Sequence, residues 1–82
     1  MRKVRAANGT WNICGPKIAQ LRAQIEPYCS QRALADQLQL LGVDLGKNAI
    51  QAIESGNRTV SDVELKAIAQ ILRVTADELL EE

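Results

Sequence analysis

Two short helices and the turn between them are contained in residues 30–58, SQRALADQLQLLGVDLGKNAIQAIESGNR. The first helix shows leucines at i, i+4 and i+7, the spacing of one helical face: Leu34, Leu38 and Leu41. Ser30 precedes this pattern in the position of an N-cap residue. Gly42 follows it, where many helices end in a left-handed glycine. These signals predict a helix over about residues 31–41 with a buried leucine stripe.

A shorter helix is predicted over about residues 47–55. Gly46 is its expected N-cap, and Ile50 and Ile53 lie three residues apart, so that both side chains can face a core. Gly56 ends the pattern. Two helices joined by a glycine-bearing turn fit the description of a helix-turn-helix, although corners of many helical bundles fit it as well.

One further helix is predicted before this pair. Pro16 suits the first turn of a helix, where its missing N–H would have no partner. Pro27 ends the helix, because proline disfavours the helical conformation in the residue before it. The inward face is formed by Ile18, Leu21 and Ile25.

Two more helices are predicted after the pair. Ser-x-x-Glu and Thr-x-x-Glu patterns, which are typical of capping boxes, place helix starts at Ser61 and Thr75. No stretch of the chain shows the alternation of a strand. The sequence therefore predicts an all-α fold of five helices over about residues 15–82, with their apolar faces meeting in one core.

The N-terminal residues show no clean periodicity and contain a basic cluster: Arg2, Lys3 and Arg5. We expect a basic, loosely ordered arm over residues 1–13 and a helix-turn-helix domain over residues 14–82. Trp11 is the exception in the arm and is expected to pack against the domain or a partner. The basic start is not followed by the apolar run of a signal peptide or a membrane span. We therefore expect a cytoplasmic protein.

The composition does not favour catalysis or metal binding. There is no histidine, which excludes Ser–His and Cys–His pairs. Most carboxylates fall at predicted helix starts or near the C-terminus, where the helix dipole or solvent accounts for them. Cys14 and Cys29 are too few for a structural zinc site, and we expect them to be buried apolar thiols. The sequence predicts no enzyme, no metal and no cofactor.

Four stretches, taken in order and at compatible distances, resemble the Cro and lambda-repressor-like helix-turn-helix family, often called XRE-like. They are Ser30-Gln31-x-x-Leu34-Ala35, Ile50-x-x-Ile53-Glu54-x-Gly56-x-Arg58, Leu65-x-x-Ile68-Ala69-x-x-Leu72-x-Val74 and Asp77-Glu78-Leu79-Leu80. The resemblance covers about residues 15–80 and implies a five-helix, lambda-repressor-like DNA-binding domain.

One stretch departs from the family pattern. The stretch from Gln31 to Glu54 contains more residues than is usual in the family, and the additional residues fall within residues 39–44. Either helix 2 gains about a turn, or the connection to helix 3 becomes a longer loop. Both alternatives imply an extended helix 2–helix 3 turn.

The resemblance implies that helix 3 is a recognition helix in the major groove. Its implied base contacts are Lys47, Asn48, Gln51 and Ala52. Lysine donates to guanine, asparagine and glutamine pair with adenine, and alanine can touch a thymine methyl group. The alternative is that these residues form only the solvated face of a short helix.

Phosphate contacts are implied at the start of helix 2 and after helix 3, by Gln31, Arg32, Asn57 and Arg58. The arm residues Arg2, Lys3 and Arg5 are possible further contacts, and the alternative is a tail that only solubilises the protein. Gln31 is also expected to support helix 3. Glu54 would repel DNA, so it is expected to bond to the loop main chain or to Arg58.

The net charge of zero conceals two opposed halves. Residues 1–58 carry eight basic and four acidic side chains, a net charge of +4, whereas residues 59–82 carry two and six, a net charge of −4. The positive half contains the helix-turn-helix, as DNA binding requires. We predict a bacterial or phage transcriptional regulator that binds double-stranded DNA sequence-specifically and is nucleoid-associated. It is expected to be a homodimer at least on DNA, with no evident small-molecule ligand. The alternative is an antitoxin-like or adaptor module that binds protein.

Overall fold

The computed structural model describes residues 9–81, which fold into five α-helices and contain no strand. The helices are α1 (Gly15–Gln24), α2 (Gln31–Leu40), α3 (Lys47–Glu54), α4 (Asp62–Leu72) and α5 (Ala76–Leu80). They confirm the predicted all-α class, and α2 and α3 end one residue before their predicted ends. The α2 helix packs on α3 and α4, α1 contacts the same two helices, and α5 lies against α4.

Side-chain caps determine where three of these helices begin. The Ser30 hydroxyl accepts a main-chain N–H of the first turn of α2 at 3.0 Å. At the start of α4, Glu64 N donates to Ser61 Oγ and Ser61 N donates to Glu64 Oε1, which completes the predicted capping box. The Thr75 hydroxyl accepts a main-chain N–H of α5 at 3.1 Å. Local sequence therefore sets these helix starts.

One apolar core joins the five helices. Its fully buried large side chains are Ile18, Leu34, Leu38, Leu45, Ile50, Ile53, Ile68 and Leu79. Cys14 and Cys29 are buried and free, as expected, and burial raises the pKa of both thiols. No helix within residues 9–81 has the length and apolar character needed to span a membrane.

The connection between α2 and α3, residues 41–46, takes the form of the longer loop. A helix-turn-helix commonly uses a turn of about three to four residues. The loop begins in a Schellman motif, in which Gly42 N donates to Gln39 O and Val43 N donates to Leu38 O. Gly42 has φ +79°, the left-handed conformation that glycine adopts without strain. The loop is therefore ordered at its start by main-chain hydrogen bonds.

The predicted burial of Leu41 is wrong. Leu41 is the C-cap residue of α2, and 43% of its surface is exposed. The helix ends at Leu40 and the chain turns at Gly42, so position i+7 leaves the inward stripe. Leu45, which lies in the connection and is only 2% exposed, contributes a leucine to the core instead.

The segment before α1 is held against the domain over part of the predicted arm. Trp11 N donates to Gly56 O at 2.9 Å, and the Asn12 side chain bonds to main-chain oxygens at the end of α3 and beyond it. The predicted boundary at residue 13 was based on the absence of periodicity, which does not register such long-range hydrogen bonds. The arm residues Arg2, Lys3 and Arg5 lie outside the described residues.

Gly15 is required by the close contact between α1 and α3. A Cβ atom at this position would overlap the main-chain oxygen of Ile53 and would lie 3.1 Å from that of Glu54. We expect Gly15→Ala to force the helices apart and to lower the free energy of unfolding by about 2–3 kcal/mol, as overpacking does.

Urea denaturation followed by circular dichroism measures this effect. Gly46→Ala is the matched control, because a Cβ atom there meets no atom within 4 Å and φ is −85°. The control removes a permissible N-cap glycine and is expected to change stability by less than about 1 kcal/mol. Equal losses in the two variants would contradict the steric argument.

Candidate nucleic-acid interface

The outer face of α3 presents three polar side chains to solvent. Lys47, Asn48 and Gln51 are exposed, whereas Ile50 and Ile53, on the opposite face, are each 1% exposed. Gln51 follows Lys47 by four positions and Asn48 by three, and side chains at these spacings lie on the same helical face, so the three form one contiguous surface. Ala52, the fourth predicted base contact, is only half-buried and lies next to this surface.

A buried ion pair holds the last residue of α3. Arg22 Nε and Nη2 donate to the two carboxylate oxygens of Glu54 at 2.8 and 3.0 Å. The Arg22 and Glu54 side chains are only 11% and 8% exposed. Gln31 Nε2 donates to Glu54 Oε1 at 2.9 Å. The Glu54 hydrogen bond raises the pKa of Arg22, so the guanidinium stays charged.

The predicted bond from Glu54 to the loop main chain or to Arg58 is wrong, since the Glu54 carboxylate accepts from Arg22 and Gln31. Arg58 instead donates to both carboxylate oxygens of Glu64, at 3.0 and 3.1 Å, and to Thr59 O at 2.9 Å. The hydrogen bonds from Arg58 to the Glu64 carboxylate hold the pKa of Glu64 below its ordinary value. Nothing in the sequence indicated that α1 packs beside α3, so Arg22 was not identified as the partner of Glu54.

The network also fixes the start of α2. Arg22 Nη1 donates to Cys29 O at 3.0 Å and to the Tyr28 hydroxyl at 3.3 Å. Gln31 opens α2 and reaches Glu54, so the expected support of α3 by Gln31 is present. One cluster, which we call the Arg22 network (Arg22, Gln31 and Glu54), thus connects α1, α2 and α3.

A cationic cleft lies where α2 and α3 begin. It has a volume of about 410 Å³ and is lined by Arg22, Tyr28, Ser30, Gln31, Arg32 and Lys47. Arg32 and Lys47 are exposed, and neither forms an ion pair within residues 9–81. The N–H groups at the start of a helix also attract anions. The cleft therefore suits a phosphate group beside the outer face of α3.

Two predicted phosphate contacts lie away from this cleft. Asn57 is exposed in the loop after α3, and Arg58 is held there by Glu64. Tyr28, at the edge of the cleft, was not predicted from the sequence, although an aromatic residue two positions before an N-cap serine is a signal that could have indicated it.

A second surface is apolar. Tyr28, Leu40 and Leu41 are 63%, 83% and 43% exposed and line one groove between the end of α1, α2 and α4. The other apolar residues that line the groove are Ile25, Pro27, Cys29, Ala33 and Ile71. We call this surface the apolar groove. Within residues 9–81 no group of three His, Cys, Asp or Glu side chains is placed to hold a metal ion.

A family model described as helix-turn-helix matches residues 18–79, which is most of the chain. The chain belongs to the XRE and lambda-repressor-like helix-turn-helix family. It is accordingly a DNA-binding helix-turn-helix domain, of a kind typical of transcriptional regulators. No curated protein and no solved structure matches the chain.

The helix-turn-helix match includes the Arg22 network and the outer face of α3. It begins at residue 18, so the segment that carries Asn12 and Gly15 lies before it. The family assignment therefore accounts for the paired helices and leaves the contacts of that segment to be explained by the structure.

Proposed function

We propose that the chain is a sequence-specific transcriptional regulator that inserts α3 into the major groove of double-stranded DNA. The supporting observation is the outer face of α3, whose exposed polar side chains are backed by buried isoleucines and by the Arg22 network. Such a helix can approach bases as a rigid unit, because its orientation is fixed from behind.

Base recognition is assigned to Lys47, Asn48, Gln51 and Ala52. Lysine matches the acceptors O6 and N7 of guanine, and the two amide side chains match N6 and N7 of adenine. Ala52 offers a methyl group for contact with thymine. The polar members of this set have free donor groups on a single helical face, as direct readout requires.

Phosphate contacts are assigned to Gln31, Arg32, Asn57 and Arg58, with Arg2, Lys3 and Arg5 as further contacts from the arm. Arg32 is the strongest of these within the described residues, since it lies in the cationic cleft and is not neutralised by a carboxylate. Arg58 is paired with Glu64, so its charge is already offset and its contribution is smaller.

The regulator acts as a homodimer on DNA in this proposal. Twofold dimers read half-sites about one helical turn, roughly 34–36 Å, apart. The part of the chain after residue 58 carries a net charge of −4 and includes α4 and α5. It faces away from the phosphates, because like charges would repel each other there.

Salt titration of binding to duplex DNA tests the proposal. If Arg32 and Arg58 each neutralise one phosphate, log K should fall with log[salt] with a slope of up to about −1.8 per protomer. Affinity should then drop about tenfold between 50 and 200 mM salt for one protomer, and more for a dimer or with arm contacts. Fluorescence anisotropy with labelled duplexes measures the slope.

The apolar groove favours a second candidate function, that of a protein-interaction module. Contiguous exposed apolar surface commonly marks a protein contact, and Tyr28, Leu40 and Leu41 supply such a surface here. The same titration separates the two candidates. A chain that binds no duplex DNA at 50 mM salt would refute the first and leave the second.

A further inference from the structure

The segment before α1 is bonded to the C-terminal end of α3. Asn12 Nδ2 donates to Ile53 O at 3.0 Å and to Arg58 O at 2.7 Å. Asn12 Oδ1 accepts from Gly15 N at 2.8 Å. A single amide side chain thus connects the start of α1, the last turn of α3 and the loop that follows α3.

Two glycines allow this segment to approach closely. Gly15 lies against the Ile53 main-chain oxygen, in space that a Cβ atom would occupy. A Cβ atom on Gly56 would meet the Thr10 side chain at 2.6 Å, and Trp11 N donates to Gly56 O at 2.9 Å. We call residues 10–15 the N-terminal latch. The latch contacts α3 and the loop after it through side-chain hydrogen bonds, a main-chain hydrogen bond and close packing.

The latch contacts the C-terminal end of α3, where the main chain already closes the last turn by hydrogen bonds from Gly56 and Asn57. The last carbonyl groups of any helix have no partner within the helix. Ile53 O accepts from Gly56 N at 3.0 Å, and Asn12 Nδ2 is a second donor to it at 3.0 Å. The other end of α3 begins at Gly46 without a side-chain cap and follows the long connection of residues 41–46. Side-chain hydrogen bonds from other elements hold α3 at its C-terminal end, where Asn12, Arg22 and Gln31 donate.

We propose that the N-terminal latch is a positioning element for DNA recognition and that Asn12 is its positioning residue. Asn12 holds α3 at the angle from which Lys47, Asn48 and Gln51 reach base edges. This role rests on the proposed function, but the latch itself is a property of the free protein. Its loss should reduce specific binding much more than general affinity for DNA, because phosphate contacts tolerate a small rotation of α3 that base contacts do not.

The test uses the full chain with Asn12→Ser. Serine keeps an oxygen that can accept the Gly15 N–H, as Ser and Asn both do at local turns, but it is too short to reach the oxygens of Ile53 and Arg58. Gln20→Ala, an exposed change on α1, is the control. The probes are a duplex selected from a random-sequence pool by the unchanged chain, and a scrambled duplex of the same length.

Two measurements are made on each variant. In the first, Asn12→Ser is expected to lower affinity for the selected duplex at least tenfold and affinity for the scrambled duplex less than threefold. In the second, amide hydrogen exchange without DNA is expected to accelerate at residues 55–57, which follow α3, relative to amides of α4. The control should change neither measurement.

The outcomes separate the latch from the proposed function. Equal losses on both duplexes, or faster exchange throughout the protein, would mean a merely structural role and would overturn the proposal. Unchanged exchange at residues 55–57 would refute the latch whatever the DNA result. Failure of the unchanged chain to bind any duplex would refute the proposed function, and with it the role of Asn12 in recognition.

Discussion

Arg22→Ala is expected to destabilise the domain by about 3–5 kcal/mol, the usual effect of removing one partner of a buried ion pair. Glu54 would stay behind as a carboxylate that is 8% exposed in the folded protein, and only Gln31 would still donate to it. Cys29 O would lose its donor as well. Since small domains are stable by about 5–15 kcal/mol in total, a large part of the population would unfold at elevated temperature.

Guanidinium denaturation measures the change, and Arg58→Ala is the matched control. Arg58 also forms a bidentate pair with a glutamate, but its side chain is 35% exposed, so we expect a loss of about 1 kcal/mol. The double variant Arg22→Met/Glu54→Leu should recover most of the loss, because apolar residues can replace a buried pair without leaving a charge unpaired. Similar losses for Arg22→Ala and Arg58→Ala would contradict the importance of burial.

Replacing Lys47, Asn48 and Gln51 together by alanine is expected to remove the preference for the selected duplex. Each good base contact discriminates by about 1–3 kcal/mol, so the loss of three should bring specific affinity close to the non-specific value. The fold should persist, because all three side chains are exposed and alanine is the best helix former.

The measurement is competition between the selected and scrambled duplexes, with circular dichroism to confirm the helix content. Lys66→Ala/Gln70→Ala is the control, since it removes one positive charge and one amide from exposed positions of α4. The control should leave the preference intact. If the triple variant still prefers the selected duplex, the base contacts have been assigned to the wrong residues.

Much of the fold was predictable because the signals are local. Ser30, Ser61 and Thr75 cap helices as their sequence context predicts, and Gly42 and Gly56 adopt left-handed conformations where helices end. Each of these features depends on a few neighbouring residues, which a single sequence displays. The outer face of α3 was predictable for the same reason, since the spacing of its two buried isoleucines determines which residues point outward.

The contacts between distant segments were not predictable. Arg22 and Glu54 lie 32 positions apart, and Asn12 and Arg58 lie 46 apart. Periodicity shows which face of a helix is buried, but it does not show which polar side chains meet at the edges of the core. The wrong partner for Glu54 came from choosing the arginine nearest in sequence, whereas packing places α1 next to the end of α3.

The hydrogen bond from Trp11 N to Gly56 O fixes the point at which the N-terminal residues join the domain. The residues that precede Trp11 are covalently joined to the domain at this point, beside the end of α3. If α3 holds DNA as proposed, any contact that these residues make with the same DNA is intramolecular, and the effective concentration of such contacts can reach the millimolar range. In the proposed complex, contacts by Arg2, Lys3 and Arg5 would therefore add to affinity even if each contact were weak by itself.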